Sequence, residues 1–456
     1  MNDLAILNGK IFDGANSYEA NIYVKDGKIS TVSSERFDAV EIYDAKGFYI
    51  LPGLIDPHVH FALNLGKYTS ADNFESGSIG AAYGGVTTYI DFLDPITEYS
   101  ELEKAFDRRM KLAANSHVDY TFHTTIAHPN FSTEKLCQKS LELGINSVKN
   151  FTTYSSSNRM TRDGYIFELL KSTKKYGLIA TFHAENDDMI LRAMSSERTH
   201  VPSRLPKYHS FEAEAEAVSR IANFVKLTDG QAYIVHNSSG RSVELLKRCG
   251  IPSNLRLETC PQYFVLDSSK YEKSEEIAAL YALVPPLRSR EDVKLMREHF
   301  KNGLFYTVGT DHCPFKKIEK LENANDYDSM PNGIGGVETS FYIFYTLFVK
   351  SGILDLNELV KIQSTNVAET FGLNEKGKLK VGYDADIAIF DPNAKWVVSN
   401  DTLHTKADYT PYDGLALNGK FVSTIVRGNF VVKDGVFNEK TKGRFVKRGP
   451  VFWRTH

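Results

Sequence analysis

The chain has 456 residues, 42% of them hydrophobic and 24% charged, with a formal net charge of -3. That describes an ordinary globular protein with material for one large core and a smaller second unit, and it excludes disordered and fibrous classes. Without a basic excess or a long Lys/Arg run, nucleic acid is not an expected partner, and a small neutral or polar ligand fits better. No stretch holds eighteen uncharged apolar residues, so no membrane span is expected. The segment Met1 to Lys10 is too short in apolar residues and too early in charge for a secretory signal, which predicts a cytoplasmic location. Cys137, Cys249, Cys260 and Cys313 show no Cys-x-x-Cys spacing, which argues against a disulfide framework and a thiolate zinc site.

Residues 1–50 hold short alternating runs such as Leu4-Ala5-Ile6-Leu7 and Asn21-Ile22-Tyr23-Val24. Asp13-Gly14 and Asp26-Gly27 punctuate them and favour tight hairpin turns. From Ile50 onward, short apolar runs alternate with longer helical stretches, the pattern of a parallel sheet built from βα units. Eight strands are predicted, over 50–55, 86–92, 118–126, 145–151, 178–183, 232–236, 255–259 and 305–309, and eight repeats predict a (β/α)8 TIM barrel. The clearest helix follows Ser210, a plausible N-cap, and carries Ala213, Ala217, Ile221 and Phe224 as a core stripe. A last helix is predicted over 359–371. Strand character returns at 385–390, 421–426 and 430–432, with a turn at Asp434-Gly435, so both chain ends are expected to combine into one flanking β-sandwich. The expected division is 1–50, 51–375 and 376–456, with Arg444 to Arg448 as a solvated or intersubunit tail.

Functional side chains of such barrels stand at the carboxyl ends of the strands. The first predicted strand leads into His58-Val59-His60, where residues two apart on extended backbone face the same way and can share one metal ion. The fourth carries Lys149, the fifth ends at His183, the sixth at His236, and the eighth leads into Asp311. A lone histidine at such a place is more often a hydrogen-bonded core residue, but four histidines and an aspartate at one mouth make a ligand set. They exceed the three protein ligands of a single catalytic zinc, which favours two ions. An ammonium cannot persist beside two divalent cations, whereas a buried neutral lysine can add carbon dioxide to form a carbamate whose two oxygens bridge them.

With these residues in view, the chain resembles the dihydropyrimidinases and hydantoinases of the cyclic amidohydrolase superfamily over nearly its whole length. The resemblance lies in Pro52-Gly53-Leu54-Ile55-Asp56-Pro57-His58-Val59-His60, Val148-Lys149-Asn150-Phe151, His183-Ala184-Glu185-Asn186, Glu258-Thr259-Cys260-Pro261-Gln262-Tyr263, Pro285-Pro286-Leu287-Arg288, Gly309-Thr310-Asp311-His312-Cys313 and Pro331-Asn332-Gly333. It implies zinc-dependent opening of a cyclic amide, a 5,6-dihydropyrimidine or a 5-substituted hydantoin, to an N-carbamoyl amino acid. Two zinc ions per subunit would be held by His58, His60, His183, His236, Asp311 and a carboxylated, bridging Lys149. Asp311 is the implied proton shuttle, Tyr154 the hydroxyl donor to the reacting oxygen, and main-chain groups near Val284 and Asn332 the holders of the ring amide. Val284 departs from the usual Ser or Cys, a change that a backbone contact tolerates. A homotetramer is also implied.

Allantoinase and dihydroorotase share this fold and ligand set, but Tyr154 counts against both, and Ala62 stands where dihydroorotase would need an arginine. A non-enzymatic scaffold of the same superfamily would lack the ligands found here. By the resemblance, the loop Ser155 to Met160 lines the pocket for the ring substituent. Its polar composition predicts a solvated loop with Arg159 facing water, and an inward Arg159 would favour a substituent with a carboxylate or other acceptor.

Overall fold

The computed structural model describes residues 1–453. Eight parallel strands, Leu54–Asp56, Val86–Phe92, Asp119–Thr125, Ser147–Phe151, Ile179–His183, Ala232–Ile234, Leu255–Thr259 and Thr307–Val308, form one sheet in sequential order. The sheet curls until its ends meet: Asp311 N donates to His58 O and His60 N to His312 O, both at 2.9 Å. This is the (β/α)8 barrel that the repeat count predicts.

The predicted first strand is two strands. Tyr49–Pro52 pairs with Ile387–Val397 outside the barrel, whereas Leu54–Asp56 pairs with Val86–Phe92 inside it. Gly53 makes the crossing, since a Cβ there would lie 2.1 Å from Thr87 Oγ1, so only glycine passes this close. The helix after Ser210 runs Phe211–Thr228 with the Ser210 side chain accepting from Ala213 N, and Ala213, Ala217 and Ile221 are buried while Phe224 is half-buried. The predicted last helix is present but starts earlier. It runs through Leu356–Val360, a π turn at Lys361–Thr365, and Asn366–Phe371.

Both chain ends build the flanking sheets. One has four strands, Lys28–Ser33, Asn21–Lys25, Asn2–Leu7 and Ala39–Asp44. The other has seven and joins Tyr49–Pro52, Lys10–Phe12 and Ser17–Glu19 to Ile387–Val397, Ala416–Val426, Asn429–Lys433 and Val436–Phe437. Ile6, Ile22, Val24, Ile50, Ile387 and Ile425 share one buried apolar cluster drawn from both ends. The Asp26-Gly27 and Asp434-Gly435 turns have positive φ at both residues, the conformation that twists a hairpin correctly.

The stretch Arg444 to Arg448 is not a solvated tail. Val446 N donates to Tyr120 O at 2.7 Å, the Phe445 ring stacks on Phe122 with centroids 5.6 Å apart, and the buried Arg448 guanidinium donates to Phe122 O and, at 3.1 Å, to Ser147 Oγ. Tyr120 O and Phe122 O of the third barrel strand and Ser147 Oγ at the start of the fourth need donors, and this segment supplies them. Among the described residues, no helix is long and apolar enough to cross a membrane.

Candidate active site

At the carboxyl ends of the barrel strands lies a cavity of about 270 Å³ lined by His58, His60, Lys149, His183, His236 and Asp311. Tyr154, Val284 and Asn332 line the same cavity. His58 and His60 lie just beyond the first strand, flanking Val59, whose bridge to His312 keeps the backbone extended and turns both imidazoles to one side. Their Nε2 atoms are 3.2 Å apart, and Asp311 Oδ1 lies 3.2 Å from His58 Nε2 and 3.1 Å from His60 Nε2. Across the cavity, His183 Nδ1 and His236 Nε2 are 3.0 Å apart. Tyr154, His236 and Asp311 all hold left-handed backbone, at φ 69°, 40° and 53°. Such conformations cost roughly 1–3 kcal/mol each and persist only where the surrounding structure enforces them.

Charge balance in this cluster fits a cation. Burial lowers the pKa of His58, yet Glu258 and Asp311 outweigh it and push it up to about 9, so without metal the imidazole balances two carboxylates by holding a proton. A divalent ion would take that proton's place. Burial drives His60 down to about 4 and lowers His183, and it holds His236 well below the usual range, leaving these rings neutral, the form a metal requires. Burial opposes ionisation of Asp311, but His58 and His60 hold its carboxyl well below the carboxylate range. Lys149 is lowered to about 8 by burial, its Nζ lies 5.1 Å from the Phe92 ring centroid, and among the described residues no carboxylate pairs with it. A second acidic group, Asp119, Asp384 and Asp386, has the spacing of a metal site. The Lys376 ammonium already fills it, at 2.9, 3.1 and 2.6 Å from the three carboxylates.

Residues 49–431 match the family model described as "Amidohydrolase family". The chain belongs to the amidohydrolase family. It is 37% identical to a D-hydantoinase of Geobacillus stearothermophilus, covering 97% of this chain and 96% of that one. It is 31% identical to a D-phenylhydantoinase of Escherichia coli O1:K1, covering 98% of both. Among solved structures, a dihydropyrimidinase from Brevibacillus agri matches at a TM-score of 0.93 and 34% identity over 100% of both chains. An L-hydantoinase from Arthrobacter aurescens matches at 0.88 and 28%, over 98% of this chain and 100% of that one.

Three carboxylates within the quoted motifs orient this amidohydrolase's cluster, a role that the sequence does not assign to them. Glu258, on the seventh strand, accepts from His58 Nδ1 at 2.8 Å, from His236 N at 2.9 Å and from the Tyr233 hydroxyl at 2.7 Å. Glu185 contacts His183 Nε2 at 2.6 Å and His209 Nδ1 at 3.0 Å, turning His183 Nδ1 to the cavity. Asp56 accepts from His58 N at 3.0 Å and Thr310 Oγ1 at 2.6 Å, which seams the first strand to the eighth. Such outer partners fix the tautomer and aim of the inner rings. For Glu258 the local signal is a carboxylate within a largely apolar strand, Leu255-Arg256-Leu257-Glu258. Its target, two hundred residues away, was not legible.

Proposed function

We propose that this amidohydrolase opens a cyclic amide, a hydantoin or a 5,6-dihydropyrimidine, by hydrolysis to an N-carbamoyl amino acid. The observation that carries this reading is the meeting of His58, His60, Lys149, His183, His236 and Asp311 beside Tyr154 in one cavity. Full-length similarity to hydantoinases supports it. Two zinc ions per subunit, held by those six residues with Lys149 carboxylated as the bridge, would supply a hydroxide nucleophile and polarise the carbonyl. The depressed pKa of Lys149 supports the carbamate, because only the neutral amine adds carbon dioxide.

The remaining steps belong to the chain. The Tyr154 hydroxyl, kept protonated by burial, which raises its pKa well above the usual value, donates to the carbonyl oxygen as negative charge develops there. Asp311, ionised at neutral pH, accepts the nucleophile's proton and delivers it to the leaving ring nitrogen. Main-chain groups at Val284 and Asn332 hold the ring amide. Their two stretches are tied together, since Gly333 N donates to Ala282 O at 3.0 Å.

The deciding experiment compares kcat/KM for 5,6-dihydrouracil, hydantoins, allantoin and dihydroorotate with the purified zinc protein. Dihydrouracil or a hydantoin is expected to be opened fastest. Higher kcat/KM for allantoin than for every hydantoin and dihydropyrimidine would move the chain to another branch of the family. We also propose a cytoplasmic homotetramer. Four unpaired cysteines support a reducing compartment, and light scattering measures the assembly.

A further inference from the structure

Arg159 is only partly exposed to water. It lines the catalytic cavity together with Tyr154, Leu63, Leu65, Phe151 and Met330. It also lines an adjoining outer cavity of about 660 Å³ and so stands where the two meet. Its backbone is anchored, with Arg159 N donating to Tyr154 O at 3.0 Å, and Asp187 fastens the turn by accepting from Ser155 N at 3.1 Å and Ser155 Oγ at 2.5 Å. The acidic groups of both cavities are engaged elsewhere. Asp91 holds Arg109, Asp94 holds Arg108, Asp328 holds His200, Asp187 holds the turn, and Asp311 faces His58 and His60. Among the described residues, no carboxylate forms an ion pair with Arg159, which leaves a planar two-pronged donor beside an apolar wall and next to the proposed oxyanion donor.

We propose that Arg159 recognises an anion on the substrate's ring substituent, so that the preferred substrate is a cyclic ureide whose side arm ends in a carboxylate. This rests on the cyclic-amide reading above. A guanidinium binds a carboxylate through two parallel hydrogen bonds, and partial exclusion of water strengthens the pair. The apolar residues receive the aliphatic part of the arm, and the guanidinium receives its end.

The test uses two hydantoins that differ only in the arm's end, 5-(2-carboxyethyl)hydantoin and 5-(2-carbamoylethyl)hydantoin, with unsubstituted hydantoin as reference. Wild-type kcat/KM is expected to favour the acid over the amide by about tenfold or more, the discrimination of one charge-assisted pair. In Arg159→Met that ratio is expected to collapse to about one, and in Arg159→Lys, which keeps charge but loses the fork, to fall between the two. A wild-type ratio of one or less, or an unchanged ratio in Arg159→Met, overturns the proposal. Failure to open any of the three rings counts against the hydrolytic reading instead. In that event, calorimetry with N-carbamoylglutamate and N-carbamoylglutamine decides the anion question: preference for the acid that disappears in Arg159→Met upholds it, and equal binding by wild type overturns it.

Discussion

Lys149 and Asp311 are the residues at which the proposed chemistry is most open to test. Lys149 stands in the middle of a buried strand and, among the described residues, no carboxylate pairs with it, so Lys149→Ala removes the proposed bridge and leaves the strand itself in place. The variant is expected to lose most bound metal and nearly all turnover while its circular dichroism stays native, with partial rescue by short carboxylic acids. Full zinc content and near-normal turnover would remove the carbamate from the mechanism. Asp311→Asn keeps size but removes the proton acceptor, so kcat is expected to fall by roughly a hundredfold or more while affinity for the N-carbamoyl product changes far less. A variant within about tenfold of wild type, a loss of only ~1.4 kcal/mol, would exclude Asp311 as the shuttle.

Two elements hold the cavity's surroundings in register. Helix Gly240–Cys249 is joined to helix Arg290–Lys301 through Asp292, which accepts from Ser239 Oγ and Arg241 Nη2, both at 2.7 Å. Burial opposes the charge on Asp292, but these donors hold its pKa below the usual range. Because the folded value is depressed, the stabilisation is fully present above the unfolded carboxylate pKa of about 4 and is lost as pH falls through the folded value. Asp292→Asn is therefore expected to cost about 1–3 kcal/mol in urea unfolding at pH 7, with the gap to wild type narrowing below about pH 4. On helix Lys317–Leu321, buried Lys320 donates to Ala279 O at 3.2 Å and Ala282 O at 2.8 Å, and the latter carbonyl also accepts from Gly333 N. Lys320 thereby ties the stretch bearing Val284 to the one bearing Asn332. Lys320→Met is expected to raise KM by about fivefold or more with a smaller change in kcat, and a kcat loss with unchanged KM would contradict a role in holding the ring.

At the scale of the molecule, the chain's last described segment seals the end of the barrel opposite the cavity. Arg448 pairs there with Phe122 O, Thr121 Oγ1 and Ser147 Oγ, and burial lowers its pKa to about 9. Arg448→Met would leave those acceptors without their donor, so a loss of roughly 2–3 kcal/mol in unfolding free energy is expected. Equal unfolding midpoints for variant and wild type would show that the segment merely rests on the barrel. The same closure explains why composition misleads at this end. Five residues with three cations read as solvated when nothing shows that Phe445 and Arg448 find partners more than three hundred positions earlier.

Local order was legible because it depends on neighbours in the chain. The two-residue period of His58-Val59-His60, the apolar runs that became barrel strands and the cap at Ser210 are each set by backbone geometry over a few residues. The chemical types of the six cavity residues, and their places on or just past the barrel strands, were legible for the same reason. Three-dimensional pairing decided the rest: which carboxylate steadies which histidine, as with Glu258 and His58, where one apolar run divides at Gly53 between two sheets, and that Arg159 borders the catalytic cavity. Such contacts join residues far apart in sequence, and their free energy appears only when barrel closure brings them together and removes water. No local pattern reports a partner that only folding supplies.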